Sequence, residues 1–517
     1  MRYQTPRPDV VVQLARHCAL AGLASEALDW SVRAGEHAFA HLAPIEAARH
    51  FGMALGIAEE LDLPESERAD LLVRLGNAQY VAGDPQALAT LEEGADLARR
   101  TGNHESLIRA VLAADRGFMR LDSGAPGYLA MVEAAVSAAD PTDTTNYARL
   151  LATLAQSLVY TSRSERRTAF AHQALALAET TGSPTLLAQI GPAVAAALWG
   201  PGTARLRGQV AARVLTAAEA TGDPRLEFNA RISSYGVAVE SADPIVAAHS
   251  LAGIRSAVRT LGEPRLRWIA GLIEAFDAMM TGRLDEAQSI AAATLELGLQ
   301  IGVPDAFALF AAQFFVIGTF AGRHDELFPL VELARRDNPG MLAFKVAYGI
   351  ICAAVDRRDV ARGILYEGMA AGFTELPRDN MWMTSVIGYA VIAIELNDAD
   401  AAAQLLPVIE PYAGEVAFNG VTSQGPIAAY VGKLASLLGH HDLAEDHLRS
   451  ALATADGFGW TYHRATTLFA LAQGRHRSLG ALGAEGRMWL SEADKLCRAF
   501  GFWNWTGPID ALIVEAC

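Results

Sequence analysis

Thr181-Gly182-Ser183-Pro184, Thr221-Gly222-Asp223-Pro224, Leu261-Gly262-Glu263-Pro264 and Ile301-Gly302-Val303-Pro304 are one phrase written four times, with its glycines 40 residues apart. Gly102, in Thr101-Gly102-Asn103, falls two such steps upstream of Gly182. Each position of the phrase has a physical task. Glycine suits the left-handed residue that closes a helix, Ser or Asp can cap the next helix, and Pro is tolerated in a first turn because its missing N–H has no partner there. The phrase therefore ends one helix and begins another. Midway between the copies fall further breaks, at Gly83, Ser123-Gly124, Thr161-Ser162, Gly200-Pro201-Gly202, Ser241-Ala242-Asp243, Gly282 and Gly322. The unit is two helices of roughly 16 residues with tight turns, the pattern of a helical solenoid.

Packing inside the unit is also legible. Ala47, Phe51 and Ala54 stand on one helical face behind Gly35 in the preceding helix. A Gly where two helices cross closely, followed by A-x3-F-x2-A, resembles the tetratricopeptide motif. Looser copies run through Leu72, Leu75, Gly76, Gly83 and Ala95, through Gly282, Ala287 and Ala291, and through Gly432, Gly439, Ala444, Leu448 and Ala451. The expected fold is all-α, a right-handed α-solenoid of about a dozen tetratricopeptide-like helical hairpins with a concave groove. Residues 1–340 read as regular solenoid, and 341–517 as a less regular continuation with a C-terminal cap at Phe500-Gly501-Phe502-Trp503-Asn504-Trp505. Pro411 to Pro426, holding Gly414, Asn419-Gly420 and Gly425, reads as an extended loop.

Composition narrows the function. Against 58 Asp and Glu stand 42 Lys and Arg, a net charge of −16, and only Lys345, Lys433 and Lys495 are lysines. So acidic a chain suits a phosphate backbone poorly, and no direct nucleic-acid contact is expected. The short arginine clusters (Arg163, Arg166, Arg167; Arg205, Arg207, Arg213; Arg475, Arg477) read as solvated faces. Cys18, Cys352, Cys497 and Cys517 form no paired spacing, which fits a reducing compartment, so a cytoplasmic location is expected. No membrane association is expected, since the most apolar run, Ala306 to Gly322, contains Gln313 and falls short of a ~20-residue span.

The order of several short matches points to a family. Ala24-Ser25-Glu26-Ala27-Leu28 followed by Glu46-Ala47-Ala48-Arg49-His50-Phe51, then Ala197-Leu198-Trp199-Gly200-Pro201, Arg265-Leu266-Arg267-Trp268, Gly282-Arg283-Leu284-Asp285-Glu286-Ala287, and Leu376-Pro377-Arg378-Asp379 with Trp382, resemble the tetratricopeptide-like (MalT/LuxR-type) C-terminal region of actinobacterial regulators. Those regulators carry an AAA/STAND-type signal-transduction ATPase, often with an adenylate or guanylate cyclase or a LuxR-type helix-turn-helix domain. The resemblance implies a regulatory arm that receives an effector or holds a partner. This sequence departs from the family where nucleotide would bind. Gly432-Lys433 is the nearest approach to a phosphate-binding loop, but Leu434 follows it and Gly425 is misplaced for the GxxxxGK spacing. No ATP hydrolysis is expected.

The expected partner is a protein, an ATPase or cyclase regulator among the candidates, or a small effector. A free-standing interaction scaffold is the alternative, and a DNA-binding transcriptional regulator the third reading. No catalytic residue, cofactor or metal site stands out, so the chain reads as a non-enzyme. His37 and His41 share one helical face at zinc-ligand spacing, yet Ala38 replaces the general-base Glu and no third ligand accompanies them. His440-His441-Asp442 reads as a turn with Asp as a helix cap. The candidate ligand or partner groove combines Trp199 with Arg378, Asp379, Asn380 and Trp382, where a planar fork of donors sits beside an apolar ring. The other reading of that connector is structural, with Asp379 capping the next helix over a buried Trp382. Finally, Val10, Val11, Val12, Leu14 and Leu20 form a poorly charged N-terminal edge, through which self-association or a bound partner is expected.

Overall fold

The computed structural model describes residues 8–114, 126–159, 161, 163–337, 342–373, 376 and 378–516. Within them the chain is an all-α helical repeat: 26 α-helices, two single-turn 3₁₀ segments and one two-stranded hairpin. Gly182, Gly222, Gly262 and Gly302 all have left-handed φ, between 62° and 68°. Ser183 and Asp223 do cap the helices Pro184–Ala197 and Pro224–Glu240, accepting from Leu186 N and from Arg225 and Leu226 N. The fourth copy behaves differently. After Val303-Pro304 the helix starts two residues late, as Ala306–Phe320, with Asp305 before it. Ser123-Gly124, Ser162 and Pro377 lie outside the described residues.

Close approach between paired helices explains the small residues. A Cβ on Gly35 would stand 2.6 Å from the Phe51 ring, and one on Gly432 would stand 2.7 Å from Leu448. Any side chain there would force the helices apart and forfeit the contacts beside it. Ala47, Phe51 and Ala54 are buried as the motif requires.

Successive superhelical turns touch one another. Arg167 donates to the Arg378 carbonyl, 211 positions further on, or about five repeats of the unit. The turn at Gly83–Pro85 packs on Gly302, and the Arg265 guanidinium lies 4.7 Å from the centroid of the Tyr80 ring. Gly322 abuts Asn504, and Phe502 in the aromatic cap is fully buried edge-on to Tyr462. One apolar core runs through these contacts, from Trp199 through Phe276 and Phe418 to Phe502 and Leu512.

Three sequence expectations are corrected. Within Pro411 to Pro426, read as an extended loop, a 3₁₀ turn (Glu410–Tyr412) leads into a buried antiparallel hairpin of strands β1 (Val416–Phe418) and β2 (Ser423–Pro426). Its turn is built by Asn419, whose Oδ1 accepts from the amides of Val421 and Thr422 while its Nδ2 donates to Thr422 Oγ1. The arginine clusters are not all solvated, since Arg167 is 5% and Arg207 only 2% exposed. Both sit where one superhelical turn closes on the next, which the repeat period does not reveal. His440, not Asp442, precedes the helix His441–Phe458, and no side chain caps it.

Candidate functional site: two stretches of the concave face

In each helical pair the first helix faces inward. The hairpin β1–β2 shows this by what it touches. Phe418 lies 6.0 Å from Trp199, at the end of the helix Pro184–Ala197, and 5.1 Å from Phe276 in the helix Pro264–Met280. Gln313, in the helix Ala306–Phe320, donates to the Val421 carbonyl at 3.2 Å. Gln424 donates to the Thr384 carbonyl at 3.3 Å, and Gly425 lies against the ring of His463 in the helix Thr461–Leu479. Val416, Ala417, Phe418, Val421 and Ser423 are all buried. The hairpin therefore occupies the concave side of the central and C-terminal turns, with apolar side chains on both its faces.

The five residues singled out from the sequence converge on this region, at the seam between turns. The Trp199 ring lies beside Phe418 and carries the Arg207 guanidinium 4.5 Å from its centroid. Arg207 forms a buried ion pair with Glu240. Burial lowers the Arg207 pKa, with Glu415 opposing it. Arg378 is exposed, stacks 5.2 Å over the Trp382 ring and donates to the Tyr412 hydroxyl at 3.2 Å. Asp379 Oδ1 accepts from the Met381 amide, just before the helix Trp382–Leu396. Burial raises the Asp379 pKa, against its backbone hydrogen bonds and Arg167. Asn380 and Trp382 are each 2% exposed, and Asn380 Nδ2 donates to the Asn419 carbonyl in the hairpin turn. The seam thus joins connector, hairpin and the Trp199 corner, leaving Arg378 as the member that reaches solvent.

Behind the hairpin lie buried His463 and half-buried Lys433, with Glu395 exposed. Burial pushes His463 down to about 3, with Lys433 adding to the shift. Burial also pulls Lys433 down to about 8 against the pull of Glu395.

The N-terminal stretch of the concave face is different. A groove of about 800 Å³ runs across the helices Ala24–Ala40, Glu65–Ala82, His104–Ala114 and Thr144–Ser157. Phe39, Val73, Ile108 and Leu112 give it an apolar floor. Above the floor an ion-pair network steps from helix to helix. Arg74 donates to Glu36 at 2.5 Å and to Asp70 at 2.7 Å, and Asp70 also pairs with Arg109. The carboxylates Glu105, Asp140 and Asp143 complete the acidic lining, with Arg149 and Asn146 beyond them. Backbone hydrogen bonding from Thr142 lowers the Asp140 pKa, so this carboxylate stays charged at neutral pH. This groove has no signature in the sequence, because its floor uses the same apolar positions that pack every repeat.

His37 and His41 stack with ring centroids 4.0 Å apart, and His41 Nδ1 sits 2.8 Å from the His37 carbonyl. Among the described residues no group of three or more His, Cys, Asp or Glu could hold a metal ion, and no helix is long and apolar enough to cross a membrane.

The geometry defines an all-α helical-repeat protein with one filled and one open stretch of concave face. No protein-family model and no curated protein matches the chain. Among solved structures it is similar to the crystal structure of the APC/C hetero-tetramer Cut9–Hcn1, at 13% identity over 99% of this chain and 96% of that one, with a TM-score of 0.49. It is also similar to the yeast Tom70 structure, at 12% identity over 95% of this chain and 96% of that one, with a TM-score of 0.31. A designed circular tandem repeat protein matches at 14% identity, over 95% of this chain and 96% of that one, with a TM-score of 0.14.

Proposed function

We propose that the chain is a protein-interaction scaffold that receives a segment of its partner in the N-terminal groove. The observation behind this reading is the contrast in occupancy. The hairpin fills the central and C-terminal concave face, whereas a groove of about 800 Å³ stays open between Glu36 and Arg149. An extended segment laid across four parallel inner helices would find an apolar floor for alternate side chains and polar walls for its backbone. The chemistry is recognition, not catalysis. The test is selection of binding peptides from a random library on the full chain, followed by rebinding to Ile108→Arg. The reading expects selected peptides to lose binding to this variant while its melting curve stays cooperative. Selected peptides that bind Ile108→Arg as well as the parent would contradict it.

Two finer readings are carried by specific observations. The sequence resemblance to the arm of signal-transduction ATPase regulators makes such an ATPase or cyclase regulator a candidate partner. Purified arm and ATPase from the same source either co-elute or do not. Self-association through the N-terminal edge is supported by exposed Val10, Val12, Leu20 and Leu23 on and beside the helix Pro8–Leu20. Light scattering that shows a strict monomer at tens of micromolar would refute it.

A further inference from the structure

Resting on the groove reading above, we infer that the segment this groove accepts is basic, an extended peptide whose Lys or Arg side chains alternate with apolar ones. The charged side chains of the groove sit at different depths. Arg74 is 28% exposed against 52% for its partner Glu36, and Arg109 is 39% exposed against 82% for neighbouring Glu105. Arg74 and Arg109 therefore lie deeper than Glu36 and Glu105. Asp70, 26% exposed beneath both arginines, accepts from each of them and neutralises part of their charge within the fold. Asp140 and Asp143 are exposed at the far rim. Their carboxylates accept from the Thr142 and Asn146 amides, which fixes their direction without cancelling their charge.

A chain entering the groove meets Glu36, Glu105, Asp140 and Asp143 first, on a protein whose net charge is −16. A basic segment gains at this rim at every step of approach, while an acidic one is repelled before it reaches Arg74 or Arg109. The floor adds the second requirement. Phe39 stands three residues after Glu36, Ile108 three after Glu105 and Leu112 three after Arg109, so apolar and charged side chains interleave along each inner helix, and a matching ligand spaces its charges by apolar positions, as alternation in an extended chain provides. The partner class is thus a Lys/Arg-bearing extended segment.

The experiment uses the full chain and two fluorescein-labelled peptides, one repeating Lys-Leu-Ser-Leu and one repeating Glu-Leu-Ser-Leu, so that polar and apolar side chains alternate, with anisotropy as the readout. Three exposed acids are neutralised in the groove (Glu36→Gln, Glu105→Gln, Asp140→Asn). A matched control neutralises three exposed acids on the outer helices (Glu59→Gln, Glu60→Gln, Glu93→Gln), so that a general charge effect is separated from the site. The inference expects the basic peptide to bind, to weaken about tenfold in the groove variant and to keep its affinity in the control. Equal weakening in both variants, or no binding of the basic peptide, overturns it. If the acidic peptide binds more tightly and Ile108→Arg abolishes that binding, the groove reading stands and the basic-partner inference falls.

Discussion

The two stretches of concave face are made by the same device, the first helix of each pair, and end in opposite states. Between Glu36 and Arg149 the inner helices leave an open groove with an ion-pair network on its walls. From Trp199 onward the same surface is closed over β1–β2, and Arg207 and Glu240 are buried there as a pair. A solenoid's curvature creates an inner surface, but what fills it is decided locally. Here eleven residues, 416–426, convert part of the concave surface into core.

If this contrast is right, substitutions in the filled stretch should act on stability and those in the open stretch on binding. The largest effects are expected where large rings are enclosed. Phe418→Ala and Trp382→Ala should each cost about 3–5 kcal/mol in urea unfolding, because neither cavity can collapse between rigid helices. Exposed Arg378→Ala should cost under about 1 kcal/mol. A Trp382→Ala variant of unchanged stability that lost ligand binding would instead make the connector a site.

Breaking the buried pair comes next. Glu240→Ala leaves the Arg207 charge in a closed interior and should destabilise by about 3–5 kcal/mol, whereas Glu36→Gln in the open network should cost no more than about 1 kcal/mol. Equal losses from the two variants would mean that the filled and open stretches do not differ in dielectric character.

The pH dependence sharpens the comparison further. His463 has its folded pKa pushed down to about 3 from 6.5, so between those values the unfolded chain binds the extra proton. Stability must therefore fall as pH drops below 6.5, by about 1.4 kcal/mol per pH unit for this group alone. His463→Gln should flatten that slope in thermal melts between pH 6.5 and 4.5. An unchanged slope would show that His463 is not buried behind the hairpin.

Much of the fold was legible because it is periodic. The Gly-x-Pro phrases, the Gly35–Phe51 crossing and the break at Gly282 each repeat a local rule, so sequence spacing alone carries them. The hairpin was missed although its signal was present: Val416-Ala417-Phe418 leads straight into Asn419-Gly420, the dipeptide that favours a tight hairpin turn. In a chain of helices that dipeptide reads as loop. Burial of Arg167 and Arg207 could not be read, because it depends on contacts about five repeats away. For the candidate site, the sequence pointed to Trp199 and the Arg378–Trp382 connector. The structure does gather these residues, but around the hairpin, and the open groove lies elsewhere, among positions indistinguishable in sequence from ordinary packing.

The central claim is that one stretch is filled and the other open, and thiol accessibility reads it directly. Ala113→Cys places a thiol in the groove lining, and Ala417→Cys places one in β1, where the native residue is fully buried. Both are made with Cys18→Ser and Cys517→Ser, leaving Cys352 and Cys497 buried as internal references. The account predicts that Ala113→Cys reacts with a maleimide at the rate of an accessible thiol, while Ala417→Cys is protected at least about a thousandfold and reacts only through unfolding. Comparable rates at the two positions would contradict it.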